Sequence, residues 1–421
     1  EELDALGKPY IILLNSTHPD APGTKALAAE MEESYGRTVL PVSCLDLDEE
    51  QLGEILRRVL YEFPVRELDF ALPRWVTMLD KGHWLQTEVY TAAMQLSGQI
   101  ARMKDISDSG RAVLDCARYP DPACRGLRRA IARRDGVEED QILCGNGASD
   151  LIYRMALACK LRQALLLAPT FSEYRRALEG VGCQIREHRL EERTGFLPGE
   201  DPLEAIVPGV DLVFLCDPNN PTGRLMDGGL LGRVLSRCRE VGAFLAVDQC
   251  FLELTGGDPR RLTEELSGGG LLLLRALTKS YALAGLRLGY ALCGEEALLD
   301  RMAAAGPPWA VSVPAQAAGE IALQQFSRWP KDSLGAIRRG RERLAAGLTG
   351  LGLWVCPGDG NFLLFRGPED LGRRLLEREH ILVRDCSDYS GLGPGWFRIG
   401  VRTEEENERL LTAAARQLRR D

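Results

Sequence analysis

The sequence predicts an α/β fold, a mostly parallel central sheet followed by a smaller C-terminal α+β domain. Two observations carry this reading. Five apolar runs of four to six residues, Gln163–Ala168, Asp211–Cys216, Ala243–Val247, Leu271–Leu274 and Leu288–Leu292, are separated in several places by helical patterns. Continuous apolar strands with helices between them fit a sheet covered on both faces. From about Ser312 the pattern turns helix-rich, with two more short strands at Asn361–Phe365 and Phe397–Val401. The frame is an ordinary globular one: 421 residues, 45% hydrophobic and 27% charged. At about 150 residues per domain that length predicts two or three domains.

The front of the chain reads on a smaller scale. Tyr10–Leu14 is a short strand ending in the polar turn NSTHPD, Thr24–Tyr35 is helical, and Thr38–Val42 is a second strand. Asp48–Tyr61 places Leu52, Ile55, Leu56, Val59 and Leu60 at helical spacing, as in an amphipathic helix. From Tyr90 to about Asp105 the pattern is helical and polar-rich, and DISDSGR (Asp105–Arg111) is the best linker. Three domains are expected: 1–106, 107–311 and 312–421.

Several partners and compartments are disfavoured. Lys and Arg total 52 against 61 Asp and Glu, a net charge of −9, so neither nucleic acid nor an anionic membrane is the default partner. No apolar stretch approaches the roughly 20 residues that span a bilayer, and no signal peptide opens the chain. The 12 cysteines include no C-x-x-C pair, and several, such as Cys144, Cys216 and Cys293, lie in apolar runs. Buried free thiols in a reducing cytoplasm are expected, with no metal site.

Three segments carry chemistry. Cys216-Asp-Pro-Asn-Asn-Pro-Thr-Gly-Arg224 directly follows an apolar strand, which puts polar side chains at the carboxyl edge of a parallel sheet, where ligands bind. Taken alone it is also a plain turn, because Asn-Pro and Thr-Gly are turn dipeptides. Asp248 ends the next strand and Lys279 follows the one after, with Arg287 eight residues on. Singly, the acid reads as a helix cap or a surface charge and the lysine as a solvated strand end. Together they form a set: a lysine for an aldehyde, an acid for a pyridine nitrogen, an asparagine for a phenolate and an arginine for a phosphate. Pyridoxal 5′-phosphate requires those four groups.

The blocks YPDP (Tyr119–Pro122), GNGASDLI (Gly145–Ile152), PTFSEY (Pro169–Tyr174), DPNNPTG, AVDQ, TKSYALAGLRLGY and FRIGVRT (Phe397–Thr403) occur in order over roughly 310 residues. This portion resembles the fold-type I pyridoxal-phosphate enzymes of the class I/II aminotransferase superfamily. The resemblance implies that Lys279 carries the cofactor as a Schiff base and later shuttles the proton. It also implies that Asp248 pairs with the pyridinium, Asn220 binds the phenolate and Phe171 stacks on the ring. Backbone N–H groups of Ala148 and Ser149, at a helix N-terminus, would cup the phosphate, helped by Thr278 and Arg287. Tyr119 would reach the phosphate of a neighbouring subunit, which implies a homodimer, and Arg398 would grip the carboxylate of a small amino-acid substrate. The plain alternatives are a core aromatic for Phe171 and a surface charge for Arg402. Phe251 and Ala276 depart from relatives with Tyr and Ser or Thr there, each at a cost to cofactor binding of about 1 kcal/mol, the scale of one hydrogen bond.

Within that superfamily, YPDP and GNGA are similar to the group holding histidinol-phosphate aminotransferase and threonine-phosphate decarboxylase. The stretch Ile381–Pro394 with WFRIGVRTEEEN leans toward the decarboxylase, a cobalamin-pathway enzyme, with the transaminase as the alternative. Residues 1–106 resemble a fragment of stage IV sporulation protein A, a spore-coat ATPase with a P-loop fold. No phosphate-binding G-x-x-x-x-G-K-[ST] precedes NSTHP, so nucleotide hydrolysis is not expected there. His18 and His83 read as structural or solvated. The first residue is Glu, and the enzyme-like part lacks the arm that relatives carry before YPDP. A join of two gene pieces, or a fusion with an inert first part, is therefore expected. A spore morphogenetic protein with a degenerate enzyme domain is the non-enzyme alternative.

Overall fold

The structure is a computed structural model that describes residues 10–63, 119–258, 260–325 and 331–419. The helical stretch from Tyr90, the linker Asp105–Arg111 and His83 lie outside the described residues. The chain divides into two compact units, Glu1–Ala117 and Arg118–Asp421.

In the first unit, β1 (Ile12–Asn15) and β2 (Val39–Val42) pair in parallel. The helix Pro22–Tyr35 connects them, with Pro at its start and Gly36 in the left-handed conformation at its end. Proline fits the first turn because its missing N–H has no partner there, and glycine ends a helix without a Cβ penalty. The amphipathic helix runs Glu49–Tyr61. His18 is exposed, as a solvated side chain is.

The second unit holds a seven-stranded sheet in the order β3-β9-β8-β7-β6-β4-β5. The strands are β3 (Ile142–Gly145), β4 (Gln163–Ala168), β5 (Gln184–Arg189), β6 (Leu212–Cys216), β7 (Phe244–Asp248), β8 (Leu271–Ala276) and β9 (Gly289–Cys293). Only β9 opposes the others, pairing antiparallel with both β3 and β8. The apolar runs mark the five strands β4 and β6 to β9. They miss β3 and β5, which are the two edges. An edge strand has a neighbour on one side only, and QIREHR of β5 keeps mostly polar, partly exposed residues.

Period-two alternation splits the core between the two faces. Leu245, Val247, Leu271 and Leu273 pack into one layer, while Ala246, Leu272 and Leu274 pack into the other. Full burial of each leucine stabilises by about 1.5–3 kcal/mol before entropic costs. Helices cover both layers, and Asp227 starts one of them, Gly228–Val241, by accepting the Leu230 N–H.

The C-terminal part contains a four-stranded antiparallel sheet, β10-β11-β13-β12, made of β10 (Trp354–Val355), β11 (Phe362–Arg366), β12 (Arg384–Asp385) and β13 (Trp396–Gly400). Sequence periodicity marks β11 and β13. The two-residue strands β10 and β12 are too short to show any. The helix Glu404–Leu418 closes the chain on a capping box between Thr403 and Glu406. Among the described residues no helix is long and apolar enough to cross a membrane.

The described cysteines are all free, and most are buried. Cys44 is exposed, and Cys159 and Cys216 are partly exposed.

Candidate active site

The carboxyl ends of β6, β7 and β8 meet at one pocket of about 330 Å³, lined by Asn220, Asp248 and Lys279 among others. That is within the usual size range for small-molecule sites. A larger groove of about 760 Å³ on the C-terminal sheet shares Arg384 and Arg398 with it but contains neither Asp248 nor Lys279.

The turn after β6 assigns its polar residues to different tasks. Asp217 accepts the Met226 N–H at 2.7 Å, and Asn219 donates to Pro169 O at 2.9 Å and Thr222 Oγ1 at 3.0 Å. These groups build the turn. Asn220 faces the pocket, where its Oδ1 accepts from Arg398 Nη1 and, at 3.5 Å, from the Tyr389 hydroxyl. With the amide oxygen engaged, the amide NH₂ is left to donate to a ligand.

Asp248 is the last residue of β7 and is buried. Its Oδ1 accepts the Cys250 N–H at 2.9 Å and its Oδ2 accepts the Tyr174 hydroxyl at 2.7 Å. Lys279 lies in the single turn Leu277–Ser280 directly after β8, with its amine 5.8 Å from the centre of the Phe251 ring. The side chain opens to the pocket, yet partial burial holds its ammonium below the ordinary lysine range. The Arg398 and Arg287 guanidiniums push the same way, while Cys250 and Asp248 oppose them.

The helix Gly147–Ala158 points its N-terminus at the same space, with Ala148 and Ser149 in its first turn. Gly147 has φ +79°, and a Cβ there would lie 2.7 Å from Arg287 Nη2. Glycine therefore lets the guanidinium close over bare helix N–H groups, which form an anion cradle. Thr278 is buried beside Lys279. Phe171 packs against the core and also lines the pocket.

Arg398 lies over the Phe362 ring at 5.2 Å, and Phe362 meets Phe251 edge-to-face at 5.0 Å. Arg384 also lines the pocket, and sequence reasoning missed it. It sits directly opposite Arg398 in the β12–β13 register, so the two guanidiniums share a face. Like charges so placed repel. Asp388, 2.7 Å from Arg384, and Asn220, beside Arg398, relieve this in part. No local pattern distinguishes Arg384 from a surface arginine, because only the register brings it inward. Arg402 pairs with Glu406 at 2.7 Å on the surface, as its plainer reading has it. Tyr119 is 81% exposed and outside the pocket, its ring 4.8 Å from that of Trp309.

Comparisons with known proteins agree with this geometry. Threonine-phosphate decarboxylase of Salmonella typhimurium is 39% identical over 305 residues, covering 71% of this chain and 83% of that protein. Histidinol-phosphate aminotransferase 1 of Archaeoglobus fulgidus is 30% identical over 306 residues, covering 72% and 91%. The crystal structure of the histidinol-phosphate aminotransferase from Clostridium acetobutylicum superposes with a TM-score of 0.68 at 25% identity, covering 75% of this chain and 95% of that one. Residues 1–64 match the ATPase domain of stage IV sporulation protein A. The family Aminotransferase class I and II matches over residues 88–413. That span takes in every pocket residue named above, and the chain belongs to the class I and II aminotransferase family.

Proposed function

We propose that the chain is a pyridoxal-phosphate enzyme that removes CO₂ from a phosphorylated amino acid, best matched by L-threonine-O-3-phosphate. The observation that carries this is the convergence of Lys279 and Asp248 with two adjacent arginines, Arg384 and Arg398, in one pocket. The residues present fit the cofactor. The helix N-terminus with Arg287 suits its phosphate, the buried Asp248 suits its ring nitrogen, Asn220 suits its phenolate oxygen, and Phe171 suits a ring face. When bound, the cofactor supplies an aldehyde for a lysine amine and a ring that withdraws electrons from the substrate Cα.

The chain's own groups do the rest. Lys279, whose ammonium is held below its ordinary range, serves as the nucleophile and later returns a proton to Cα. The Asp248 carboxylate lines the pocket, where a protonated ring nitrogen would need a counter-ion. Arg384 and Arg398 suit a substrate with two anionic groups and fix its orientation, which selects the bond at Cα that breaks. O-Phosphothreonine carries a carboxylate and a phosphate together. Histidinol phosphate carries only the phosphate, although the glutamate of a transamination carries two carboxylates. The higher identity to the decarboxylase, 39% against 30%, favours decarboxylation.

The test is direct. Purified protein with pyridoxal phosphate and O-phosphothreonine is expected to release CO₂. Amino transfer from glutamate to a keto acid, with no CO₂ released, overturns the assignment in favour of a transaminase. The exposed Tyr119–Trp309 pair suits a second copy of the chain, with Tyr119 reaching that copy's phosphate site. Sedimentation of the loaded enzyme at the monomer mass would remove the homodimer. A reducing, cytoplasmic setting suits the free thiols. The divisions 1–106, 107–311 and 312–421 are proposed as a leading fragment whose first 64 residues match the ATPase domain, a cofactor-binding domain and a small domain.

A further inference from the structure

We propose that Tyr174 is a positioning residue of the cofactor site, holding the Asp248 carboxylate in place through a hydrogen bond that leaves its charge intact. The inference rests on the reading that this pocket binds pyridoxal phosphate. Both oxygens of Asp248 are engaged: Oδ1 by the Cys250 N–H at 2.9 Å and Oδ2 by the Tyr174 hydroxyl at 2.7 Å. The carboxylate plane is therefore set from two directions, one in its own turn and one in the helix Ser172–Gly180.

The position of that hydroxyl is itself fixed. Tyr174 is fully buried. Its ring stacks on Phe214 of β6 at 4.0 Å and 18°, and it meets Phe171 edge-on at 5.6 Å. Burial, and then the nearby Asp248 charge, push the Tyr174 phenol well above its ordinary range, so it remains an O–H donor. The other titratable neighbours are Cys216 on β6, Cys250 in the following turn and Lys279 after β8. Both thiols are pushed up, chiefly by burial, and stay neutral. Lys279 carries the only positive charge these neighbours can bring, and the cofactor chemistry consumes that amine. A phenol donor solvates a carboxylate without supplying a counter-charge. Asp248 thus keeps its negative charge for a protonated ring nitrogen. An arginine in place of Tyr174 would neutralise it.

The test uses the 421-residue chain loaded with pyridoxal phosphate. Tyr174→Phe keeps the ring stack and removes one oxygen. Without the donor, the carboxylate becomes a stronger base for the ring proton, and the ring withdraws fewer electrons. The pH midpoint of the visible cofactor band is expected to move up, the cofactor dissociation constant to rise several-fold, and kcat to fall with KM nearly unchanged. In an Asp248→Asn background the same change is expected to have no further effect on the midpoint, because the tyrosine acts through the acid. Incorporating 3-fluorotyrosine at position 174, a more acidic phenol of nearly the same shape, is expected to move the midpoint down. This second measurement stands even if Tyr174→Phe folds poorly. Wild-type midpoints in both variants overturn the inference, as does an equal Tyr174→Phe shift with and without Asp248. Wild-type protein that takes up no pyridoxal phosphate would instead remove the reading of the pocket itself.

Discussion

Among single residues, Lys279 shows how surroundings decide chemistry. A lysine after a strand is ordinarily a solvated ammonium. Here partial burial and two guanidiniums favour the neutral amine. Lys279→Ala is expected to abolish turnover and the visible absorbance of the loaded enzyme, while the fold melts at nearly the same temperature. A spectrum identical to wild type would show that another amine holds the cofactor. The sequence made Lys279, Asp248 and Asn220 legible because each follows an apolar strand, so the strand itself states where the side chain emerges. Tyr174 and Arg384 were not legible in this way. Tyr174 lies within PTFSEY, but only the packing of a helix over β6 brings its hydroxyl to Asp248. Arg384 needs a strand register that no periodicity over two residues can reveal.

At the level of elements, the phosphate cradle depends on one backbone conformation. Gly147 starts its helix at φ +79°, and the space where a side chain would begin is occupied by Arg287. Gly147→Ala is expected to weaken pyridoxal-phosphate binding roughly tenfold, the scale of one charge-assisted hydrogen bond. It also adds backbone strain of about 1–2 kcal/mol, because a Cβ disfavours the left-handed region. Equilibrium dialysis with the cofactor checks the first figure and chemical denaturation the second. Because Arg287 ends in a flexible side chain, its displacement, rather than loss of the helix, is the expected cause. The interior strands were readable from their apolar runs. The edge strand β5 was not, because its partly exposed residues are mostly polar, and β3, buried but only four residues long, was too short to stand out.

Across the whole molecule, stability and pH are linked through a buried acid in the turn that carries Asn220. Burial, with Asp359 nearby, raises Asp217 from 3.8 to about 6, against the opposing Arg261 and the Met226 N–H. A carboxyl raised on folding binds its proton more tightly in the folded state. Its contribution is therefore full below about pH 4 and is lost as pH rises through about 6. The stability difference between wild type and Asp217→Asn is expected to shift by about 2 kcal/mol against wild type from pH 4 to pH 7, from 1.36 kcal/mol per pKa unit. Denaturant midpoints at those two pH values measure it, and parallel curves for the two proteins would contradict it. The broad architecture, a large sheet and then a small one, was legible because helical and strand patterns change along the chain. The opposite direction of β9 was not, because a fully buried strand reads alike in either direction.

The pairing of Arg384 with Arg398 has a consequence for how such a chain can diversify. Lys279, Asp248 and the phosphate cradle all belong to the seven-stranded sheet, whereas both anion-gripping arginines belong to the other sheet. The arginine on β12 reaches the pocket through a strand only two residues long. A one-residue shift in the β12–β13 register would turn Arg384 to the opposite face, while Asp248 and Lys279, held at the ends of β7 and β8, would stay in place. Substrate range can thus be rewritten by changes in strand register, and a small library of loop-length variants is a practical route to new specificities.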